Sequence, residues 1–209
     1  MEIIKKGKYY YFQDKRLECV FQADIHEYWL GYWLDNDEFK RIKKLISVTQ
    51  LMKKYELVKD YGNIPKSILN KKAEFGTLVH NEIDNYIRKG EIGFTAEVGE
   101  FIKFCKVQDF KSIKSEFIVY NDVCAGTVDL IAEYNGFKVR ADNKTTASYD
   151  KDYLSWQLSI YDYLDNEKCD KLACLWFKDG LKYKDVEFKD IEEIEKIMQI
   201  ERQKGDLNG

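Results

Sequence analysis

Two strand-like segments joined by Asn-Gly constrain the fold of this chain more than any other stretch. Residues 127–134 read TVDLIAEY, residues 137–143 read FKVRADN, and Asn135-Gly136 lies between them. Asn-Gly is the pair that two-residue hairpin turns prefer, because both turn positions need a positive φ. We therefore predict a hairpin in which these two strands pair.

The second of these strands carries charged side chains on one face. Side chains alternate along a strand, so the face opposite the apolar residues carries Lys138, Arg140, Asp142 and Lys144. Counting back across the turn puts Asp129 of the first strand near the level of Asp142. Two buried carboxylates without a cation are costly, so we expect a polyvalent cation between Asp129 and Asp142.

Length and composition predict one domain. The chain has 209 residues, 44% of them hydrophobic, which suffices for a core that buries about 70% of the unfolded surface. Because no run of about 18 apolar residues and no secretory signal occurs, we expect a cytoplasmic, intracellular protein with no membrane partner. The five cysteines are odd in number and form no C-x-x-C pair, which predicts reduced core thiols and no iron-sulfur (Fe-S) cluster.

Charge is distributed unevenly along the chain. Residues 40–72 contain ten Lys or Arg and two acids, a net charge of +8, whereas residues 185–201 carry a net charge of -5. The first segment suits phosphate groups, and the second does not. A solvated helix face is the alternative explanation of the basic segment.

Apolar periodicity and turn residues place the other elements. We predict strand pairs over 8–13 with 17–22, 27–34 with 38–46, and 171–178 with 182–188, and a single strand over 115–120 with Glu116 at its start. Helices are predicted over 48–55, 66–89, 152–164 and 190–203, with a further amphipathic helix around 98–105. This mixture predicts an α/β (α+β) fold class.

The order of four short motifs resembles the PD-(D/E)xK nuclease superfamily, and within it the RecB-like and phage-type exonucleases. The motifs are Gly76-Thr77-Leu78-Val79-His80, Gly126-Thr127-Val128-Asp129, Asp142-Asn143-Lys144-Thr145 and Gln157-Leu158-Ser159-Ile160-Tyr161. Three other acid-x-Lys triplets occur in the chain, but none lies between a G-T-x-D strand and a Q-x-x-x-Y helix. Asn143 departs from the family pattern, which usually has an apolar residue between the acid and the lysine.

The resemblance implies a restriction-endonuclease-like core, with a central mixed β-sheet flanked by helices and an N-terminal β-hairpin extension. The whole chain, 1–209, is then a single nuclease domain. Its parts are an N-terminal β extension over 1–46, a nuclease core over 47–188 and a C-terminal helix over 189–209.

The resemblance also implies a metal-dependent site. Magnesium (Mg2+) is the expected ion and manganese (Mn2+) a substitute, because hard cations take carboxylate ligands and manganese accepts a nitrogen ligand more readily. The candidate metal ligands are His80, Glu116, Asp129, Asp142 and the backbone carbonyl of Asn143. The candidate catalytic residues are Asp129, Asp142, Lys144 and Gln157.

Some of these assignments have a structural alternative. His80 also fits a hydrogen-bonded core histidine, Lys144 a plain salt bridge, and Glu116 a surface carboxylate. The candidate nucleic-acid contacts are Lys66, Lys71, Lys72, Thr145, Thr146 and Tyr161, of which Tyr161 fits core packing equally well.

The function that follows from the resemblance is that of a Mg2+-dependent deoxyribonuclease, an exonuclease acting on DNA ends in recombination, repair or phage replication. The alternatives are a small endonuclease, a Cas4-like end trimmer without an Fe-S cluster, and a catalytically silent relative that binds nucleic acid or protein. The expected partner is DNA, with a homo-oligomer or a recombination protein as further partners, in a bacterial or phage-infected cell.

Overall fold

The computed structural model describes residues 3–58 and 66–206, which form ten strands and five helices. The strands are β1 (Ile4–Lys6), β2 (Tyr9–Phe12), β3 (Lys15–Gln22), β4 (Glu27–Trp33), β5 (Phe39–Ser47), β6 (Lys111–Tyr120), β7 (Cys124–Tyr134), β8 (Phe137–Lys144), β9 (Lys171–Phe177) and β10 (Leu181–Val186). The helices are α1 (Val48–Lys54), α2 (Lys66–Lys89), α3 (Ala96–Gln108), α4 (Lys151–Leu164) and α5 (Ile191–Asp206).

Strand β7 is the centre of one mixed sheet. Strand β6 pairs antiparallel with β7 along most of its length. On the other edge, β5 pairs parallel with the start of β7, and β8 pairs antiparallel with its second half, from Leu130 opposite Ala141 to Tyr134 opposite Phe137. Strand β9 then pairs parallel with β8, and β10 antiparallel with β9. One edge of β7 therefore pairs with two strands in succession, β5 near its start and β8 from Leu130 onward. Asp129 lies just before the part that pairs with β8.

Local sequence explains where several elements begin and end. Ser47 caps α1 with a reciprocal pair of hydrogen bonds to Gln50, and the Asp150 side chain caps α4. Asn135 and Gly136 both have positive φ, 52° and 77°, as a tight two-residue hairpin turn requires. Gly90, with a φ of 73°, follows the last residue of α2.

Helices cover both faces of the sheet. One face packs against α1, α4 and α5 through a core that includes Leu51, Leu158 and Met198. The other face packs against α2 and α3 through Val79 and Phe101. A third core lies between the N-terminal strands and β6–β7, and its buried residues are Tyr10, Leu17, Tyr28, Leu30, Tyr32, Leu45 and Ala125.

The predicted fold class is confirmed: a mixed sheet flanked by helices, with an N-terminal β extension that is continuous with the sheet through the β5–β7 pair. Two expectations were wrong in detail. Strand β1 was not predicted, and β6 begins at Lys111, so Glu116 lies inside the strand and not at its start. Part of the basic segment, residues 59–65, lies outside the described residues. No helix in the described part of the chain is long and apolar enough to cross a membrane.

Candidate metal centre

Strand alternation is interrupted at Asp129, in the middle of the central strand. Val128 packs in the core against α4, and Leu130, two residues later, packs in the opposite core against α2 and α3. In a regular strand these two side chains would share a face. Opposite this point, Glu116 of β6 has a φ of 43°, in the left-handed region that few non-glycine residues occupy. The backbone of both strands is therefore irregular at the level of Asp129 and Glu116.

Asp129 points into the gap where β7 and β8 separate. The last paired residues of these strands are Leu130 and Ala141, and beyond them the Asn143 amide donates a hydrogen bond of 2.8 Å to Asp129 Oδ2. A side-chain oxygen thus replaces the missing backbone partner of Asn143. The register places Asp129 at the level of Asp142, as the sequence predicted.

Helix α2 brings His80 to the same gap. Val79 and Ile83 are buried in the core beneath the helix and orient it. His80 Nε2 lies 2.8 Å from the Asn143 carbonyl oxygen, which can only accept, so Nε2 carries the proton of this hydrogen bond. His80 Nδ1 lies 3.4 Å from Glu116 Oε1 and 3.5 Å from Asp129 Oδ2. Nδ1 is therefore the ring nitrogen that faces the carboxylates.

Two polar residues of α2 hold the irregular part of β6. Arg88 Nη2 donates to the carbonyl oxygens of Ser115 and Glu116, at 2.7 and 3.2 Å. Asp84 pairs with Arg88 one turn earlier and accepts from the Ser115 hydroxyl. These bonds compensate for the strained conformation of Glu116 and fix its side chain beside His80. These contacts were not predicted from the sequence, although Asp84 and Arg88 have the i, i+4 spacing of a helical ion pair.

Asp142 and Lys144 form an ion pair next to this group. Lys144 Nζ lies 2.8 Å from Asp142 Oδ2, and the carboxylate side chain is only 3% exposed. The lysine also lies 5.9 Å from the ring centroid of Tyr153 on α4. The salt bridge considered for Lys144 is thus present, and it lies beside the other acids.

Burial and neighbouring charges shift the pKa values of these groups. Burial raises the pKa of Asp142 to about 6, with Asp129 adding to the rise and Lys144 opposing it. Burial also raises the pKa of Asp129, against the opposing effects of His80 and Lys144. For His80, burial lowers the pKa, but the carboxylates of Asp129, Glu116 and Asp142 outweigh it and raise the pKa to about 9. The pKa of Lys144, lowered by burial, is raised above its ordinary value by Asp142 and Asp129, so the ammonium stays charged.

The donor set fits a divalent cation. The group contains three carboxylates, from Glu116, Asp129 and Asp142, and the single ammonium of Lys144, which leaves a net charge of -2 when His80 is neutral. Across the described ranges, ligand atoms from three or more residues lie within 4.8 Å of one another only at His80, Glu116 and Asp129. Oxygen ligands with one nitrogen suit Mg2+ or Mn2+. The Asn143 carbonyl, predicted as a further ligand, is hydrogen-bonded to His80 in this structure.

The Q-x-x-x-Y pair lies on the buried side of α4. Gln157 and Tyr161 are both buried, and Gln157 Nε2 donates to the Tyr161 hydroxyl at 3.2 Å. Burial raises the pKa of Tyr161, and the charges of Asp129 and Asp142 raise it further, so the phenol lies within the electrostatic reach of the acids. A side chain at Gly126 would overlap the Tyr161 ring. The glycine of the G-T-x-D motif therefore makes room for the tyrosine, a role that sequence reasoning missed.

The predicted nucleic-acid contacts are spread over a wider area. Thr145 lies beside Gly76 of α2, so the end of β8 touches the helix that carries His80. Thr146 is exposed, and its hydroxyl donates to the Ser148 carbonyl. Lys71 and Lys72 are exposed on α2, but nine residues separate Lys71 from His80, about two and a half turns, so the side chains of Lys71 and His80 point to opposite sides of the helix.

Two other parts of the basic segment are compensated by acids. Lys44 pairs with Glu27, and Lys54 pairs with Glu201 of the acidic C-terminal segment. The backbone of Lys66 begins α2, whereas its side chain lies outside the described part of the structure. The net charge of this segment therefore overstates the free positive charge around α1.

Comparisons with known proteins add little to this geometry. No protein-family model and no curated protein matches the sequence. A solved structure described as "Crystal structure of SSO0001" is similar to 77% of this chain and 75% of its own, with 15% sequence identity and a TM-score of 0.45. A similarity this weak does not indicate a function.

Proposed function

We propose that this chain is a divalent-metal-dependent deoxyribonuclease that hydrolyses phosphodiester bonds, and that it acts on DNA ends as an exonuclease. The observation that carries the proposal is the convergence of Asp129, Asp142 and Lys144 with His80 and Glu116 at the point where β7 and β8 separate. Asp129, Asp142, Lys144 and His80 belong to the sequence motifs that resemble the PD-(D/E)xK superfamily, whereas Glu116 lies outside them. The preference for DNA ends rests on that resemblance alone.

The acids and His80 would hold the cation. When bound, a divalent ion neutralises charge on the phosphate oxygens and lowers the pKa of a water molecule. Asp129 is oriented for this role by the Asn143 amide, and His80 by its bond to the Asn143 carbonyl. One residue of β8 thus positions two ligands through its backbone.

Lys144 acts through the positive charge of its ammonium group and not as a general base. Its raised pKa keeps the ammonium protonated, so it can stabilise the negative charge that develops on the phosphoryl oxygens and orient the attacking water. Asp142 holds this ammonium in place at 2.8 Å. Gln157 and Tyr161 supply a buried hydrogen-bonding pair behind the acids, from which the amide positions the nucleophile or a phosphate.

The test is DNA cleavage with linear and covalently closed circular duplexes, each with Mg2+ and with EDTA. We expect Mg2+-dependent loss of the linear substrate alone. Cleavage of both substrates would identify an endonuclease instead. If neither substrate is cleaved with Mg2+ or Mn2+, the hydrolytic proposal is wrong, and binding remains as the function to measure.

Lys144→Ala tests the assigned chemistry. Removing a charge that stabilises the transition state lowers the turnover rate about a hundredfold to a thousandfold. Lys106→Ala, which removes an exposed lysine from α3, is the matched control and should cleave at the wild-type rate. A folded Lys144→Ala protein that cleaves as fast as this control would contradict the role.

A further inference from the structure

The N-terminal strands form a sheet with two different faces. The inner face closes the third core through residues such as Tyr10, Tyr28 and Leu30. Because side chains alternate, the residues between them point outward. The outer face carries five aromatic rings, which are those of Tyr9, Tyr11, Trp29, Trp33 and Phe39. We call these five residues the aromatic platform.

The platform rings are not packed into the body of the protein. None of the five belongs to any of the three cores that the described residues form. Trp33 is 50% exposed, and the other four rings are half-buried. A solvent-facing sheet surface usually alternates polar side chains with the buried ones. Five rings on such a surface therefore suggest a surface that is covered by a ligand.

Cationic side chains lie over three of these rings. The Arg16 guanidinium is 4.5 Å from the Tyr9 ring centroid, Lys6 Nζ is 5.3 Å from that of Tyr11, and the Arg41 guanidinium is 5.1 Å from that of Trp29. These separations are typical of cation–π pairs. The surface thus alternates aromatic rings with positive charges across neighbouring strands.

Some of these positively charged side chains form no salt bridge. Arg16 and Lys44 pair with Glu18 and Glu27. Lys6, Lys8 and Arg41, in contrast, form no salt bridge with any acid in the described ranges, and Lys8 Nζ lies 5.2 Å from the Tyr9 ring centroid. These three cations are therefore available to bind phosphate groups.

The backbone is adapted to present the rings. Strand β5 has a register shift opposite Leu30 and Gly31, and a side chain at Gly31 would overlap the backbone carbonyl oxygen of Lys40 and lie 2.7 Å from the Phe39 ring. Trp33 packs edge-on against Phe39, with ring centroids 5.0 Å apart. The glycine thus allows two rings to form a continuous apolar surface beside Arg41.

The platform is tied to the strand that carries the metal centre. On the inner face, the Tyr28 hydroxyl lies 2.9 Å from Thr127 Oγ1, a hydrogen bond to β7 two residues before Asp129. Trp29 follows Tyr28 in β4. A ligand on the platform is therefore held on a sheet that is hydrogen-bonded directly to the central strand.

We propose that the aromatic platform binds single-stranded DNA, with bases stacked on its rings and phosphates on Lys6, Lys8 and Arg41. Sequence-independent binding of single strands needs this combination, because every base has an aromatic face whereas duplex bases are already stacked. The choice of nucleic acid as the occupant rests on the proposed nuclease function, since such an enzyme generates or receives single strands. The resemblance to nucleases does not extend to these strands, so the platform is a separate assignment.

The test is fluorescence anisotropy with a labelled oligothymidylate in EDTA, which prevents cleavage and makes the metal centre unnecessary. We expect the double variant Tyr11→Ala/Trp33→Ala to bind the oligothymidylate more weakly by about tenfold for each ring removed. The double variant Tyr11→Phe/Trp33→Phe keeps the rings and should bind like the wild type. Phe94→Ala is the matched control, because it removes a fully exposed ring from the loop between α2 and α3.

The cations are tested separately through salt. We expect Arg41→Gln to reduce the slope of log affinity against log salt concentration by about 0.7, the value for one phosphate contact on a single strand. An unchanged slope would remove Arg41 from the proposed site.

Two results would overturn the platform assignment: no binding of the oligothymidylate by the wild type, or equal binding by the wild type and a folded Tyr11→Ala/Trp33→Ala protein. If either result is found and the wild type still cleaves DNA, only the platform assignment is wrong. If the wild type binds through the rings but cleaves no DNA, the proposed nuclease function fails alone.

Discussion

Two ionic clusters lie on the same face of β8, and they differ in charge balance. The first, which we call the balanced cluster, contains Arg140, Asp162, Asp165 and Lys168. The second is the candidate metal centre, with His80, Glu116, Asp129, Asp142 and Lys144. Arg140, Asp142 and Lys144 follow one another at alternate positions of one strand, so position along the strand does not separate the two clusters.

The balanced cluster matches two cations with two anions around a fully buried arginine. Arg140 has no exposed surface, and its Nη2 lies 3.3 Å from Asp162, 3.0 Å from Asp165 and 3.1 Å from the Glu167 carbonyl oxygen. Lys168 donates to carbonyl oxygens at the end of α4, including that of Asp165. Such a group joins β8 to α4 and needs no ligand.

The candidate metal centre has more negative than positive charge. It contains three carboxylates and one ammonium, that of Lys144, and the side chains of His80, Glu116 and Lys144 are each about a quarter exposed, at 24%, 26% and 24%. An unbalanced group of buried acids that solvent can reach is a place for a cation. We infer that charge balance, more than burial, separates the structural cluster from the candidate functional one.

The largest expected effect comes from breaking the balanced cluster. Arg140→Met leaves Asp162 and Asp165 without their buried partner and should lower the free energy of unfolding by about 3–5 kcal/mol. Chemical denaturation with and without Mg2+ would measure it, and we expect the same loss in both conditions. Arg202→Met, which removes a partly exposed partner of Asp122, is the control and should cost about 1 kcal/mol or less. A loss that Mg2+ restores would contradict the division between the two clusters.

Removing an acid from the candidate metal centre should instead raise the stability of the metal-free protein. Asp129→Asn relieves the repulsion among the three carboxylates, so we expect a higher thermal midpoint in EDTA than for the wild type. The stabilisation by Mg2+, about 3 kcal/mol at a hundredfold excess over the dissociation constant, should be lost. Asp165→Asn provides the matched comparison, since it removes an acid from the balanced cluster and should lower the midpoint in EDTA. Stabilisation of the Asp129→Asn protein by Mg2+ to the wild-type extent would contradict the site.

The smallest expected effect is on the pH dependence of Mg2+ affinity. The pKa of His80 is raised to about 9 in the metal-free protein, so between pH 7 and 9 a proton competes with the cation. Affinity should rise about tenfold per pH unit up to pH 9 and level off above it.

The same shift has a consequence for the metal-free fold. A raised histidine pKa stabilises this fold fully below the unfolded value of about 6.5, and the contribution is lost as pH rises through 9.

Calorimetric titration measures the Mg2+ affinity, and His80→Gln should flatten the pH profile of that affinity. An affinity that does not change with pH would remove His80 from the ligands.

Much of the fold was predictable from sequence because local signals were strong. The Asn135-Gly136 turn determined the β7–β8 register and hence the level of Asp129 and Asp142, and the helices predicted over 48–55 and 66–89 correspond to α1 and α2. The irregularity at Glu116 was not predictable, since it depends on tertiary hydrogen bonds from Arg88. Local propensity favours a regular strand there, and the tertiary contacts override it.

The site was predicted less completely than the fold. The motifs identified the residues that converge, but spacing could not show that the Asn143 carbonyl accepts from His80 Nε2 and leaves Nδ1 facing the acids. Nor could it distinguish Arg140 from Lys144, because both are basic residues on one face of β8. That distinction depends on the end of α4, where Asp162 and Asp165 reach Arg140.

Anomalous diffraction from crystals grown with Mn2+ tests the central claim most directly. The account predicts an anomalous peak in the gap between β7 and β8, within bonding distance of Asp129 and the Nδ1 atom of His80, and no peak at Arg140. A fully occupied Mn2+ site elsewhere on the protein, with no peak between Asp129 and His80, would contradict it.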